Sequence, residues 1–195
     1  MNNPSIRIVL ASKSPRRREL LCDVAPDFEI ITEEVDETLP EGMHPRDGVG
    51  VLAVRKGAAV AATLPSDCLV ISSDTLVELD GIPLGKPTDT ADACRILRSL
   101  SGKTHNVHTG VAVHYLGGVY HGVATSSVTF RELTDAEIRD YVATGEPMDK
   151  AGAYGIQGLG GALVLRYDGD FDTIVGLSRA LTQRLINEAM EKGNE

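Results

Sequence analysis

Three arginines, Arg16, Arg17 and Arg18, follow Ser14-Pro15 at what reads as the start of a helix. Ser14 is a suitable N-cap, because its hydroxyl can accept from a free backbone N–H. Pro15 fits the first helical position, where its missing donor costs nothing. Helix starts favour acids, since the macrodipole is positive there. Cations at that end are uphill unless an anionic ligand joins them. A solvated basic turn is the plain alternative, but the preceding apolar run, the cap and the arginines together point to a polyphosphate site. Asp74 is the second notable residue, an acid set within the apolar stretch Cys68 to Leu79. A carboxylate in a buried strand is expensive unless it is paired or metal-bound; nearby hydroxyls and amides are the structural alternative. Gln157, flanked by glycines, carries both donors and an acceptor, the equipment needed to read a base edge.

Other charged residues gain meaning only in company. Lys56 alone reads as a surface lysine on a helix, and Lys86 as a loop lysine between Gly85 and Pro87. The segment Glu33-Glu34-Val35-Asp36-Glu37 reads as a solvated acidic loop, although an acid there suits a hard divalent cation. His105 and His108 stand three apart on an expected strand, so they face opposite ways and share no metal.

The elements that position these residues follow from the apolar pattern. Strands are expected at Ile6 to Leu10, Phe28 to Ile31 and Cys68 to Ile71. The last is expected to end at Ser72-Ser73-Asp74-Thr75 and to resume from Leu76 to Leu79 before an Asp80-Gly81 turn. Val107 to Tyr115 and Val119 to Phe130 read as a hairpin around Gly117-Gly118. Ala162 to Tyr167 and Thr173 to Val175 read as the last strands. Helices are expected from Pro15, from Arg46 to Thr63, and after Asp89 or Thr90 through Leu100. Two more are expected after the capping box Thr134-Asp135-Ala136-Glu137 and from Ser178 onward.

The 195 residues suit one α/β domain, residues 1–195, or two lobes sharing a cleft. A net charge of -9 argues against broad binding to nucleic acid or an anionic membrane. A local basic patch on an acidic chain suits a small anion better than a long polyanion. Cys22, Cys68 and Cys94 are odd in number, widely spaced and without a C-x-x-C pair. They read as buried thiols of a reducing compartment. No stretch approaches the length of a membrane span, so the expected location is the cytoplasm.

The motifs LASKSPRRRELL, EVDE, SSDTLVELDGIPLGKP, LSGKTHNVHTGVAV, EPMDKAGAYGIQGLGGALV and IVGLS run in order over nearly the whole chain. With them the chain closely resembles the Maf family of nucleoside triphosphate pyrophosphatases. The resemblance implies a mixed, twisted sheet flanked by helices, with two lobes around a central cleft. It also implies cleavage of a nucleoside triphosphate to the monophosphate and pyrophosphate with a divalent metal, Mg²⁺ or Mn²⁺, and a homodimer. By position it puts Ser14, Arg16 and Arg17 in the phosphate-binding motif and Asp74 at the proton acceptor. Asp36, Lys56 and Lys86 fall on further active-site acids and lysines, with Asp74 and Asp36 as the implied metal ligands. Arg16, Thr75 and Gln157 match the branch acting on dTTP and UTP, with other or modified pyrimidine nucleotides as further candidates. The 7-methyl-GTP branch, which carries Glu in place of this Gln, is the alternative substrate class. A non-catalytic nucleotide-binding regulator of cell division is the alternative outside enzymes.

Overall fold

A computed structural model describes residues 6–193 of the chain. The first half contains β1 (Ile8–Leu10), α1 (Pro15–Cys22), β2 (Glu29–Ile30), α2 (Pro45–Ala61), β3 (Leu69–Leu79), β4 (Ile82–Leu84) and α3 (Thr90–Leu100). The second half contains β5 (Thr104–Tyr115), β6 (Gly118–Phe130), α4 (Asp135–Ala143), β7 (Val164–Asp168), α5 (Phe171–Val175) and α6 (Arg179–Lys192). Three short 3-10 turns lie between α4 and β7, at Glu146–Asp149, Ala151–Ala153 and Leu159–Leu163. The strands form one mixed sheet in the order β2-β1-β3-β5-β6-β7, with β4 also paired to β3.

The long central strand β3 organises the sheet. One edge is paired antiparallel to β5 from Val70–His114 to Glu78–Asn106. The other edge is shared: β1 runs parallel along Leu69 to Ile71, and β4 runs antiparallel along Val77 to Leu79. Among the described residues no strand covers this edge between Ser72 and Leu76. The sheet therefore opens at its centre, beside Asp74.

Side chains alternate across β3 with the period of two that any strand imposes. Ser72 and Asp74 face α2, where Ser72 Oγ donates to Ala53 O at 2.7 Å. Leu69 and Ile71 face the other way, into a core with Leu21, Val113, Leu177 and Leu185. Val77 and Leu79 share that face but enter a second core, with Ile96, Leu97, Leu100, Phe130 and Ile138. Between the two cores stand Ser73 and Thr75, too small and polar to extend either. Each fully buried leucine or isoleucine contributes roughly 1.5–3 kcal/mol, so each core anchors one lobe, with β3 running through both and the cleft between them.

Three expected elements differ. β3 does not break at Ser72, because every hydroxyl in that run finds a partner inside the fold. Ser73 Oγ donates to Gly176 O at 2.9 Å, and Thr75 Oγ1 lies 2.9 Å from Thr109 Oγ1. Thr173 to Val175 is helix α5, not strand. Asp170 caps it, accepting from Asp172 N and Thr173 Oγ1, and this local cap outweighs β-branched propensity. The β5–β6 turn is Leu116-Gly117, with φ of 49 and 80, one residue earlier than expected. Cys22 is exposed, Cys68 buried and Cys94 half-buried, and all three are free thiols. His105 and His108 do face opposite ways: His105 meets Tyr154, and His108 meets Glu78 and Thr125.

α2 approaches the sheet closely over Gly110 of β5, where an added Cβ would lie 2.5 Å from Val49 O. Backbone cannot yield there as a side chain would. Gly110→Ala is expected to cost about 1–3 kcal/mol, read as a lowered midpoint in urea unfolding with an unchanged slope.

Candidate active site

The cleft is a cavity of about 1040 Å³ between the lobes. Its floor begins where β1 passes into α1. Ser14 caps α1, accepting from Arg17 N at 3.4 Å, and Pro15 takes the first helical position. Arg17 then folds back beneath its own helix. Its Nε donates to Gly176 O at 3.0 Å, Nη1 to Ser12 Oγ at 3.4 Å and Nη2 to Thr75 Oγ1 at 3.2 Å. Burial lowers its pKa from the ordinary arginine value, with Asp74 opposing that effect and Arg16 adding to it. Arg18 points to solvent.

Asp74 stands in the wall formed by β3. Its Oδ1 accepts from Lys56 Nζ of α2 at 2.5 Å. The same ammonium meets Glu37 Oε1 at 2.8 Å. Asp74 Oδ2 meets no donor among the described residues, so half of this carboxylate is tied to a cation and half is unspent. Lys86 enters from the loop after β4, and Arg16 from the exposed side of α1.

Glycine-rich backbone from Gly155 to Gly161 closes the far side and carries Gln157, which is exposed to the cleft. Glu146 ties this segment down. Its carboxylate accepts from Leu159 N at 2.9 Å, Gly160 N at 3.0 Å and Tyr141 Oη at 2.8 Å. Tyr141 Oη accepts in turn from Gly155 N at 3.2 Å. Burial acts against the Glu146 anion, but these donors outweigh it and hold its carboxyl below the usual range. Gly158 is required at its place, since a Cβ there would lie 2.6 Å from both Glu146 oxygens. Behind the cleft wall, His105 Nε2 meets Tyr154 Oη at 2.8 Å.

Ser14, Arg16, Arg17, Lys56, Asp74, Thr75, Lys86 and Gln157 all line this one cavity. Asp36 does not. Its carboxylate accepts from Thr38 N at 2.8 Å, the Thr38 side chain and then this N–H lower its pKa, and its carbonyl is held by Arg55. The acid of that segment brought to the cleft is Glu37. The Asp-x-Thr spacing was a signal for this, because Asp side chains commonly bond the backbone two residues on. Glu146 and Thr109 were likewise not singled out by sequence, and only their contacts mark them. A smaller chamber of about 480 Å³ continues from the cleft, sharing Lys13, Arg17, Glu37, Lys56 and Lys86. No helix among the described residues is long and apolar enough to cross a membrane.

The Maf-like protein family model matches residues 7–189. The chain belongs to the Maf family. Among Maf-family relatives, one from Moorella thermoacetica is named a dTTP/UTP pyrophosphatase. It is 49% identical over 182 residues, 92% of this chain and 93% of its own. Another of the same name, from Pelotomaculum thermopropionicum, is 50% identical over 175 residues, 89% of this chain and 91% of its own. Among solved structures, the Staphylococcus aureus Ham1 protein superposes with a TM-score of 0.50 at 20% identity. That match covers 97% of this chain and 100% of the other, and it shows a shared fold.

His105 is buried among Phe130 and Tyr154, and burial pushes its pKa down to about 4 from 6.5. The unfolded chain then binds the proton more readily. Stability is full above pH 6.5 and falls as pH drops towards 4. His105→Gln is expected to flatten the pH dependence of unfolding free energy in that window by about 1 kcal/mol per pH unit, measured by urea unfolding.

Proposed function

We propose that this Maf-family protein hydrolyses dTTP and UTP, with modified pyrimidine nucleotides as related substrates, to the nucleoside monophosphate and pyrophosphate. The observation that carries the proposal is the half-spent carboxylate of Asp74, facing a cleft that is lined by Arg16, Arg17, Lys56 and Lys86 and also carries Gln157. The names of its relatives give the substrate pair.

The triphosphate lies towards Ser14, Arg16, Arg17, Lys56 and Lys86, and the base lies towards Gln157. Arg17 suits a bidentate phosphate contact, while the two lysines act as point charges. Water attacks the α-phosphorus while its proton passes to Asp74 Oδ2. The bond from the α-phosphorus to the bridging oxygen breaks, and pyrophosphate leaves with that oxygen and its electron pair. Lys56 holds Oδ1, fixing the carboxylate plane so that Oδ2 is aimed. Positioning and stabilisation of charge on the departing pyrophosphate supply most of the acceleration.

Two carboxylates flank one lysine here, and no cluster of three or more metal-ligating side chains exists among the described residues. Such a donor set fits Mg²⁺ or Mn²⁺ carried in on phosphate oxygens, a mode that needs only one or two protein carboxylates. Asp74 and Glu37 would hold it, Glu37 replacing Asp36 in that role. The ion supplies neutralisation of phosphate charge. Gln157 bonds the pyrimidine edge, with Arg16 and Thr75 completing the specificity set, and a site built on such bonds rejects bases that leave them unpaired. Free cysteines fit a reducing compartment, and we place the enzyme in the cytoplasm.

Asp74→Asn is expected to lower kcat for dTTP by about 10²–10⁴-fold, while calorimetry still detects nucleotide binding. Full turnover in that variant refutes the role of Asp74. In a panel of triphosphates assayed for pyrophosphate, dTTP and UTP should lead, and preference for 7-methyl-GTP would defeat the role given to Gln157. A chelator should stop the reaction, and added Mg²⁺ or Mn²⁺ should restore it.

A further inference from the structure

Thr75 lines the cleft, yet its hydroxyl is already engaged on both sides. Arg17 Nη2 lies 3.2 Å from Thr75 Oγ1, Thr75 Oγ1 lies 2.9 Å from Thr109 Oγ1, and Thr109 Oγ1 lies 2.7 Å from Thr173 O. A hydroxyl has one proton to give. Thr173 O can only accept, so Thr109 spends its proton there. Arg17 can only donate, so Thr75 must accept from Arg17 and give its own proton to Thr109. The chain of bonds therefore has one direction, from the guanidinium through two hydroxyls to the backbone of α5.

The far end of this relay is well anchored. Thr109 is fully buried, and its neighbour Gly110 is pressed against the α2 backbone, so β5 cannot slide. α5 is capped by Asp170 and braced by Arg179, which bonds both Asp172 and Asp23. Gly176 O, directly after α5, accepts from Arg17 Nε at 3.0 Å and from Ser73 Oγ at 2.9 Å. Two edges of the guanidinium are thus referred to one short helix, directly at Nε and through the relay at Nη2. Of the five guanidinium N–H groups, three are spent on Gly176, Ser12 and Thr75. One remains on each Nη nitrogen, the pair that a bidentate phosphate contact uses.

We infer that Thr109 is a positioning residue for phosphate binding, acting through Thr75 to set the plane of Arg17, and that Thr75 influences substrate through the same guanidinium. The inference rests on the reading of Arg17 as a phosphate contact. It gives a fully buried side chain without any cleft surface a defined effect on turnover.

The test compares Thr109→Val, which keeps shape but removes the hydroxyl, with Thr109→Ser, which keeps the hydroxyl. With dTTP as substrate, Thr109→Val should lower kcat/KM by about fivefold or more, and Thr109→Ser should stay within about threefold of wild type. In an Arg17→Lys background, Thr109→Val should cause no further loss, because the relay then has no guanidinium to orient. Should Thr109→Val fail to fold, Thr75→Val carries the same expected loss. A smaller loss of kcat/KM, with only the melting temperature lowered, overturns the inference, as does an undiminished further loss in the Arg17→Lys background. If the wild type releases no pyrophosphate from any triphosphate, the proposed function fails by itself. The relay is then decided by calorimetry with inorganic pyrophosphate, where Thr109→Val must weaken binding about fivefold or more and an unchanged Kd overturns it.

Discussion

A carboxylate in the middle of the central strand sets the terms for the rest of this structure. Asp74 is nearly buried, and an isolated charge there would be prohibitively costly. Lys56 offsets that cost, and its ammonium must come from a helix lying almost on the sheet. That requirement explains the glycines of the interface. Gly110 lets the α2 backbone touch β5, and Gly57, one residue after Lys56, leaves room for His114 and Ser72. The pair is only partly matched, however, since Lys56 divides itself between Asp74 and Glu37. Buried ion pairs are weak contributors to stability, and this one is better understood as fixing the plane of the Asp74 carboxylate within the cleft wall.

On the opposite face of the same strand, polarity serves a second purpose. Ser73 and Thr75 separate two apolar cores and tie the strand to α5, while Arg17 joins α1 to the same helix. Arg17 of α1 and the strand that carries Asp74 are therefore referred to one frame. The glycine-rich segment that carries Gln157 is built differently. It hangs on Glu146 and Tyr141, which belong to the lobe of α3 and α4. Asp74 and Gln157 are thus held by different supports, and β3 runs between them.

Much of this was legible from residue types alone. The Ser14 cap and the capping box at Thr134 follow from side chains that bond nearby backbone, and both are present; of the two expected caps for α3, Asp89 is the one used. The cationic helix start and the acid within an apolar run stand out by residue type, and both line the cleft. What escaped was settled by distant partners. A break at Ser72 was a reasonable expectation until Ala53, Thr109 and Gly176 supplied acceptors from 19 to 103 residues away in sequence. Thr173 to Val175 carries strand-like residues, and one aspartate cap turned them into a helix. Glu37 and Asp36 are neighbours with opposite fates, decided by which of them closes its own turn.

The uncovered stretch of β3 has a further consequence. An exposed strand edge is a template on which other chains can assemble, and sheet proteins protect such edges. Here the bare edge is interior: β1 and β4 flank it, and only the five residues from Ser72 to Leu76 lie between them. A small ligand can enter that recess, but an intruding strand of ordinary length would collide with its borders. The protein thereby keeps an unpaired piece of sheet at its centre without offering it for self-association.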